Sequence, residues 1–222
     1  EIGHGNNYFD EKKNEEIIKK VSHKCYLPAN KIILDLINNT GGKFRVSYSM
    51  SGIILEELEK FCPEVIESFK QLAATGCVEF LDETYYHSLS CIYSKEEFIE
   101  QIGLHNKKIR QLFNCKPKIF RNTELVYSNE IASIAEKMGY KGVLAEGADH
   151  ILQWRSPNFV YRPKGSGIKL LLKNYRLSDD IAFRFSEKSW SEFPLTAPKF
   201  AQWISNVNGS GNVVNLFMDY ET

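Results

Sequence analysis

The chain has 222 residues, with 28 basic and 28 acidic side chains, and 43% of its residues are hydrophobic. This balance leaves no net charge to attract nucleic acid or an acidic membrane surface. No run approaches the roughly 20 apolar residues that a membrane-spanning helix needs. The composition therefore argues against nucleic-acid and membrane functions and is typical of a globular protein.

The cysteines and the two ends of the chain bear on its location and completeness. The five cysteines are odd in number and contain no C-x-x-C pair, which favours reduced thiols in a cytoplasmic protein. No basic-then-apolar signal pattern begins the chain. The chain starts without Met and stops just after an apolar run, so we expect a fragment of a larger protein.

Apolar periodicity predicts alternating helices and strands through the first two thirds of the chain. Helical spacing and capping residues predict helices over 10–25, 30–37, 53–61, 64–74, 95–113 and 129–138. Strands are predicted over 44–50, 77–81, 118–120 and 141–145. Such alternation indicates an α/β fold with a parallel sheet, either doubly wound or closed into a barrel.

The pattern is less regular after residue 146. Apolar runs at 159–161 and 168–172 flank a Pro- and Gly-containing turn, which predicts a β-hairpin inserted at about 158–173. Residues 177–185 show no clear period. A helix capped by Thr196 and a strand over 213–218 follow. We find no linker or repeat, and therefore expect residues 1–222 to form one domain.

Three carboxylates are predicted at strand ends: Glu79, Glu124 and Asp219. The carboxyl ends of parallel strands open on one face, so these side chains can converge although they are far apart in sequence. Two carboxyl groups about 5–5.5 Å apart suit a retaining glycosidase, and about 6.5–9.5 Å suits an inverting one. Taken alone, the stretch around Glu124 favours the simpler interpretation, a solvated charge before a helix.

Aromatic side chains in predicted loops are compatible with a sugar site. They are Tyr85, Tyr86, Trp154, Phe183, Phe185 and Trp190. For any single one of them, the sequence favours the alternative that it covers the edge of the core. Trp154, which is followed by Arg155, is the candidate that the sequence favours most.

The remaining polar motifs predict neither a metal site nor a cofactor site. The five histidines are scattered: His87 follows a predicted strand, whereas His105 falls in a helix as a surface or packed residue. Paired carboxylates such as Asp179 and Asp180 more often bond arginine or backbone groups than a metal. The sequence contains no nucleophile elbow and no glycine-rich phosphate loop.

Several separated stretches together resemble glycoside hydrolase family 57, particularly its α-amylase-like branch. The resemblance extends from Tyr8 to Thr222. Its most specific stretches are Val-Glu-Phe-Leu at 78–81, Glu-Thr-Tyr-Tyr-His-Ser-Leu at 83–89, Phe-Arg-Asn-Thr-Glu-Leu at 120–125, Trp-Arg-Ser-Pro at 154–157 and Leu-Ser-Asp-Asp-Ile-Ala-Phe-Arg-Phe at 177–185.

This resemblance implies a retaining enzyme acting on α-linked glucans such as starch, glycogen or maltodextrin, on an incomplete (β/α)7 barrel. Glu124 matches the family's nucleophile, Asp219 its acid/base, and Glu79 the glutamate of its second motif. We expect no cofactor and no metal. The residues expected to bind substrate are Glu79, His87, Arg121, Trp154, Asp180, Arg184 and Trp190.

The chain departs from the family pattern at three places. The first motif, His-Gln-Pro on the first strand, would lie upstream of Glu1, and the fifth motif with the C-terminal helical region would lie beyond Thr222. Arg121 stands where the family often has an aromatic residue. The alternatives are a 4-α-glucanotransferase or branching enzyme, a metal-dependent polysaccharide deacetylase, and a non-catalytic carbohydrate-binding protein.

Overall fold

The computed structural model describes residues 10–221, so Tyr8 and Thr222, the two ends of the family resemblance, lie outside it. The helices in this part of the chain are α1 (Glu11–Val21), α2 (Leu27–Asn39), α3 (Gly52–Phe61), α4 (Pro63–Ala74), α5 (Lys95–Phe113), α6 (Asn129–Lys137), α7 (Asp149–Leu152), α8 (Tyr175–Ala182) and α9 (Ala197–Ser205). None of them combines the length and apolarity that crossing a bilayer requires.

Most helices begin where a short polar side chain caps them. Asp10 accepts a hydrogen bond from the Lys13 N–H at the start of α1, and Ser94 accepts one from the Glu97 N–H at the start of α5. The two helices predicted at 10–25 and 30–37 are joined without a break by a π-helical segment, Ser22–Tyr26, so that Pro28 falls in the first turn of α2.

Five parallel strands form two sheets. β1 (Val46–Tyr48) pairs with β2 (Val78–Phe80), and β4 (Gly142–Glu146) lies between β3 (Ile119–Arg121) and β5 (Lys169–Lys173). An isolated parallel bridge between Asp82 and Phe120 links the two sheets. The α/β prediction is therefore confirmed, whereas residues 10–221 form no closed sheet.

Two of the later predictions can be compared with the structure. Within the predicted hairpin at 158–173, Tyr161 and Leu170 form an antiparallel bridge, and Lys169–Lys173 also pairs in parallel with β4 as β5. The predicted strand at 213–218 is wrong: in that segment only Asn215 makes a bridge, to Lys173. Residues 177–185, which showed no period, belong largely to α8.

Two apolar clusters hold the layers together. One packs α1 to α4 against β1 and β2 and includes Phe69 and the Phe80 ring, which stacks on Phe113 at 4.1 Å between centroids. The other packs α5 and α6 against β3, β4 and β5 and includes Phe120 and Val143. A cavity of about 1010 Å³ is lined by residues from all five strands and by Val214–Phe217, so the strands curve around a common interior.

Candidate active site

The carboxyl ends of β1, β2 and β3 lie at one edge and carry a connected set of polar side chains. Two of the loops that leave this edge are joined by a hydrogen bond of 2.9 Å between the hydroxyls of Thr84 and Thr123. A depression of about 730 Å³ opens beside them. Its lining includes Glu83, Tyr86, His87, Arg121, Phe217 and Asp219.

Glu83 is an almost completely buried carboxylate that lines this depression, with 1% of its side chain exposed. Its Oε2 accepts a hydrogen bond from Arg121 Nη1 at 2.9 Å and lies 3.2 Å from His87 Nδ1, while its Oε1 accepts from the Ser49 hydroxyl at 3.1 Å. Burial by itself would raise the pKa of Glu83. The hydrogen bond with His87 and the charge of Arg121 outweigh burial and hold this pKa below its ordinary value.

His87 lies between two carboxylates. Its Nδ1 faces Glu83, and its Nε2 lies 3.2 Å from Glu124 Oε1. The hydrogen bond with Glu83 is the largest cause of a raised His87 pKa, with that to Glu124 acting in the same direction against partial burial. His87 therefore joins the candidate nucleophile to the buried Glu83.

Glu124 projects into solvent at the rim of the depression, with 73% of its side chain exposed, and is not part of the lining. Its backbone lies in the left-handed region at φ 53° and ψ 24°, and Leu125 follows at φ 56°. L-amino acids with a Cβ seldom adopt this conformation. The strained turn directs the Glu124 carboxylate toward His87.

Asp219 reaches the same depression on an extended segment that is fixed on both sides of it. On one side the Phe217 N–H donates to the Ser178 hydroxyl at 3.2 Å, and the Arg121 guanidinium lies 5.0 Å from the centroid of the Phe217 ring. Arg121 thus contacts both Glu83 and the segment that carries Asp219.

On its other side Asp219 is followed by Tyr220, whose side chain is held by the N-terminal helices and β1. The Tyr220 hydroxyl donates to Asn30 Oδ1 at 2.8 Å and lies 3.1 Å from the Tyr48 hydroxyl. Its ring stacks on Tyr26 with centroids 6.2 Å apart. The segment needs these side-chain contacts because it makes no strand ladder with β1.

A second polar network lies beneath the loop that follows β2. His105 is fully buried, with Nδ1 2.5 Å from Asp82 Oδ1 and Nε2 2.7 Å from the Met50 carbonyl oxygen. The Tyr140 hydroxyl and the Asn106 amide both donate to Asp82 Oδ2. Burial would lower the pKa of His105, but the hydrogen bond and charge of Asp82 hold it above its ordinary value.

Tyr85 is part of the packed support of this loop. It is buried, its backbone oxygen accepts a hydrogen bond from the Gly52 N–H at 2.8 Å, and its hydroxyl donates to Glu56 at 2.5 Å. Its ring lies so close to Gly52 that an added Cβ would be 2.5 Å from it. Of the two adjacent tyrosines, only Tyr86 lines the depression.

The other predicted site residues lie outside the depression. Trp154 follows α7 and is 89% exposed. Asp180 on α8 pairs with Arg184, which lies two residues after this helix ends, at 2.7 Å. The Arg184 guanidinium lies 5.7 Å from the centroid of the Trp190 ring. The structure therefore groups Asp180, Arg184 and Trp190 in one cluster, which is separate from His87 and Arg121.

The prediction that Glu79 stands at a strand end is wrong. Glu79 is the middle residue of β2, paired with Ser47, and it lines the interior cavity between the strands. The carboxylate of the loop after β2 that lines the depression is Glu83, which sequence reasoning missed. The available signal was the run of polar residues from Asp82 onward, which begins two residues after β2 ends.

Neither the predicted residues nor the rest of 10–221 bring three or more His, Cys, Asp or Glu side chains close enough to bind a metal ion. The titratable groups of the edge are instead engaged with one another, with Arg121 and with hydroxyl groups. The arrangement is suited to two carboxylates that act on a neutral substrate at the rim of a depression.

Comparison with known proteins gives a consistent family match. The sequence model of glycosyl hydrolase family 57 matches residues 3–222. A protein of Methanocaldococcus jannaschii named "Putative alpha-amylase" is 48% identical over 216 residues, which are 97% of this chain and 45% of the relative. The chain thus spans about half the length of that relative.

Solved structures share the fold at low sequence identity. The 4-alpha-glucanotransferase from Thermococcus litoralis superposes with a TM-score of 0.72 at 18% identity, over 90% of this chain and 30% of the other. A branching enzyme from Thermococcus kodakaraensis gives 0.61 at 15% identity, over 89% of this chain and 50% of the other.

Proposed function

The chain belongs to glycosyl hydrolase family 57, and from that premise we propose that it supplies the catalytic carboxylates of a retaining glycoside hydrolase acting on α-linked glucans. One observation carries the proposal: Glu124 and Asp219, on segments 95 residues apart in sequence, connect through His87, Glu83 and Arg121 to the same depression. The name of the Methanocaldococcus relative supports an α-amylase-like substrate.

The proposed fold of the complete catalytic domain is a (β/α)7 barrel. Two findings support it: all five strands are parallel, and they curve around a common cavity to which Val214–Phe217 also contributes. Parallel strands that curve in this way place all their carboxyl ends on one face. The same face carries Glu83, Glu124 and Asp219.

The reaction assigned to the two carboxylates has two steps. In the first, a Glu124 oxygen forms a bond to the anomeric carbon, the glycosidic C–O bond breaks, and protonated Asp219 gives its proton to the leaving oxygen. In the second, Asp219 takes a proton from water, the water oxygen attacks the anomeric carbon, and Glu124 leaves as a carboxylate. Two displacements at one carbon retain its configuration.

Substrate contacts are proposed at two places. His87 and Arg121 line or border the depression and can donate to sugar hydroxyls near the cleaved bond. Trp154 and the Asp180, Arg184 and Trp190 cluster would contact sugars further along the glucan. Glu79, inside the strands, has no direct access to this edge.

Glu124→Gln and Asp219→Asn in the intact protein test the assignment. Each should abolish most release of reducing sugar from maltodextrin, with a loss of about 10²–10⁴-fold for the acid/base residue. Glu130→Gln is a matched control because Glu130 is an exposed carboxylate in the first turn of α6 that pairs with Lys95 of α5 and does not line the depression. Wild-type rates in either Glu124→Gln or Asp219→Asn would refute the pair.

Azide distinguishes the two roles. The substrate is an aryl malto-oligoside, whose aryloxide leaves without protonation. In Glu124→Gly, azide should attack the anomeric carbon as the aryloxide leaves and give a glycosyl azide of inverted configuration. In Asp219→Gly, Glu124 first displaces the aryloxide, and azide should then displace Glu124 from the glycosyl-enzyme and give a product of retained configuration. The opposite pattern would exchange the two assignments.

Transfer to a second sugar is the second candidate function, because the structures that share this fold include a 4-alpha-glucanotransferase and a branching enzyme. The same glycosyl-enzyme can be captured by a sugar hydroxyl in place of water. Product analysis separates the two outcomes. New chain lengths or branches without a gain of reducing ends would indicate transfer.

A further inference from the structure

We propose that Glu83 is a positioning residue that sets the placement of both candidate catalytic carboxylates, acting on Glu124 through His87 and on the Asp219 segment through Arg121. This inference rests on the proposed function of Glu124 and Asp219. It assigns a role to a residue that contacts neither of them directly.

The position of Glu83 makes it the centre of the network. It is almost completely buried, and each of its oxygens has a partner: Ser49 on Oε1, and both Arg121 and His87 on Oε2. A buried carboxylate is costly unless it is paired and hydrogen-bonded, so its partners are held firmly in place. Removal of its charge would release His87 and Arg121 together.

The contacts that lead from Glu83 through His87 to Glu124 depend on the protonation of His87. Neutral imidazole has a single N–H, whereas the imidazolium has two. His87 Nδ1 and Nε2 each lie 3.2 Å from a carboxylate oxygen, of Glu83 and Glu124 respectively, so only the imidazolium can donate to both. The raised pKa of His87, due chiefly to Glu83, agrees with this geometry.

The contacts that lead from Glu83 toward Asp219 are made by Arg121. This side chain is buried, donates one hydrogen bond to Glu83 and lies with its guanidinium 5.0 Å from the Phe217 ring centroid. Such a cation–aromatic contact is stabilising, and it depends on where the guanidinium is held. Phe217 precedes Asp219 by two residues, so a shift of Arg121 would displace the candidate acid/base.

Several charged or titratable groups surround His87 and enter the interpretation of any pH effect. Glu83 comes from its own loop, Glu124 and Arg121 come from the end of β3, and Tyr86, Asp219 and Glu221 line the same depression. Glu83 and Glu124 favour the imidazolium, and Arg121 opposes it. Of the two carboxylates that favour the imidazolium form of His87, Glu83 is buried and Glu124 is exposed.

Glu83→Gln in the intact protein, compared with wild type, tests the inference with two measurements. The first is the kcat and KM for an aryl malto-oligoside: kcat should fall at least tenfold, with KM within about threefold of wild type. The second is an NMR titration of the His87 ring, assigned with His87→Gln. Its midpoint should move to lower pH in Glu83→Gln, because the partner that favours the imidazolium has lost its charge.

Glu136→Gln is the matched control. Glu136 lies on α6, and its carboxylate accepts hydrogen bonds from the Ser166 hydroxyl and the Gly167 N–H. It does not line the depression. It should leave kcat and the His87 midpoint unchanged. If Glu83→Gln does not fold, His87→Gln tests the connection from Glu83 to Glu124. Because His87 is partly exposed, its loss should lower kcat without unfolding the protein.

The outcomes separate the inference from the function on which it rests. An unchanged His87 midpoint and a kcat within twofold of wild type in Glu83→Gln would overturn the role of Glu83. So would a kcat within twofold of wild type in a folded His87→Gln when Glu83→Gln cannot be obtained. If Glu124→Gln is inactive while either result holds, the inference alone fails. If Glu124→Gln is fully active, the proposed function fails.

Discussion

Tyr220→Phe is a small change with a large expected effect, because the Tyr220 hydroxyl makes the buried hydrogen bonds that hold the C-terminal side of the Asp219 segment. That hydroxyl donates to Asn30 Oδ1 at 2.8 Å and lies 3.1 Å from the Tyr48 hydroxyl. Asn30 is 2% exposed, and its amide nitrogen is already bonded to the Ser68 hydroxyl. Water therefore cannot readily replace the lost partner.

The magnitude follows from the groups that are left behind. A buried polar atom that loses its hydrogen-bond partner lowers stability by about 1–3 kcal/mol. Here that atom is the side-chain amide oxygen of Asn30, Oδ1. A central value of about 2 kcal/mol corresponds to roughly a 30-fold weaker attachment of the segment. Since Asp219 directly precedes Tyr220, we expect kcat to fall by up to about 30-fold, with a smaller change in KM.

The assay is steady-state hydrolysis of an aryl malto-oligoside by the intact protein, combined with urea unfolding. Tyr127→Phe is the control, because its hydroxyl donates only to Asn129 at an exposed position. Asn30→Ala should reproduce the loss, and the double variant with Tyr220→Phe should lose no more than the worse single variant. A kcat and an unfolding midpoint equal to wild type in Tyr220→Phe would refute the reasoning.

Three further substitutions probe the surroundings of the site. His105→Gln should lower the free energy of unfolding by about 3–5 kcal/mol near pH 5.5, since it leaves the buried Asp82 carboxylate without its cationic partner. Because the pKa of His105 is raised in the fold, the wild-type advantage is complete below about pH 6.5. It is lost as the pH rises through the raised value, and urea unfolding at several pH values will measure this. Gly52→Ala should cost about 1–3 kcal/mol, because its Cβ would lie 2.5 Å from a packed tyrosine ring, and the urea midpoint will measure this. Trp154→Ala should change stability by less than about 0.5 kcal/mol and weaken malto-oligosaccharide binding by about 1 kcal/mol in calorimetry.

Each of these variants has a matched control. His23→Gln changes an exposed histidine and should show no pH-dependent loss. Gly103→Ala in α5 meets no atom within 4 Å and should stabilise the helix by about 0.5–1 kcal/mol. Tyr93→Ala removes another highly exposed aromatic side chain and should leave glucan binding unchanged. Equal effects in a variant and its control would contradict the corresponding prediction.

The helices were the most predictable part of the fold because their signals are local. Asp10 and Ser94 accept the capping hydrogen bonds that their positions indicate, and α5 ends at Phe113 as its apolar spacing predicts. β1 and β2 were predicted in their approximate places but too long, since each contains three residues. β3, β4 and β5 have the predicted lengths but lie one residue further along the chain. Strand bounds depend on pairing with distant segments, which a single sequence does not reveal.

The same limit explains what was missed at the site. The apolar run at 77–81 does not show where the ladder ends, so Glu79 was placed at a strand end and Glu83 was overlooked. His105 was recognised only as a surface or packed residue, because its partner Asp82 is 23 residues away. Glu124 and Asp219 were found through motif resemblance, while the chain of contacts between them became visible only in the structure.

The left-handed backbone of Glu124 and Leu125 determines how a substitution of Glu124 affects stability. A residue with a side chain costs about 1–2 kcal/mol there, a cost that glycine avoids. Glu124→Gly should therefore remove the candidate nucleophile and make the protein more stable at the same time. In a gene copy that is no longer selected for activity, we expect glycine to replace glutamate at position 124. A protein stabilised in this way would be one that has lost its candidate nucleophile.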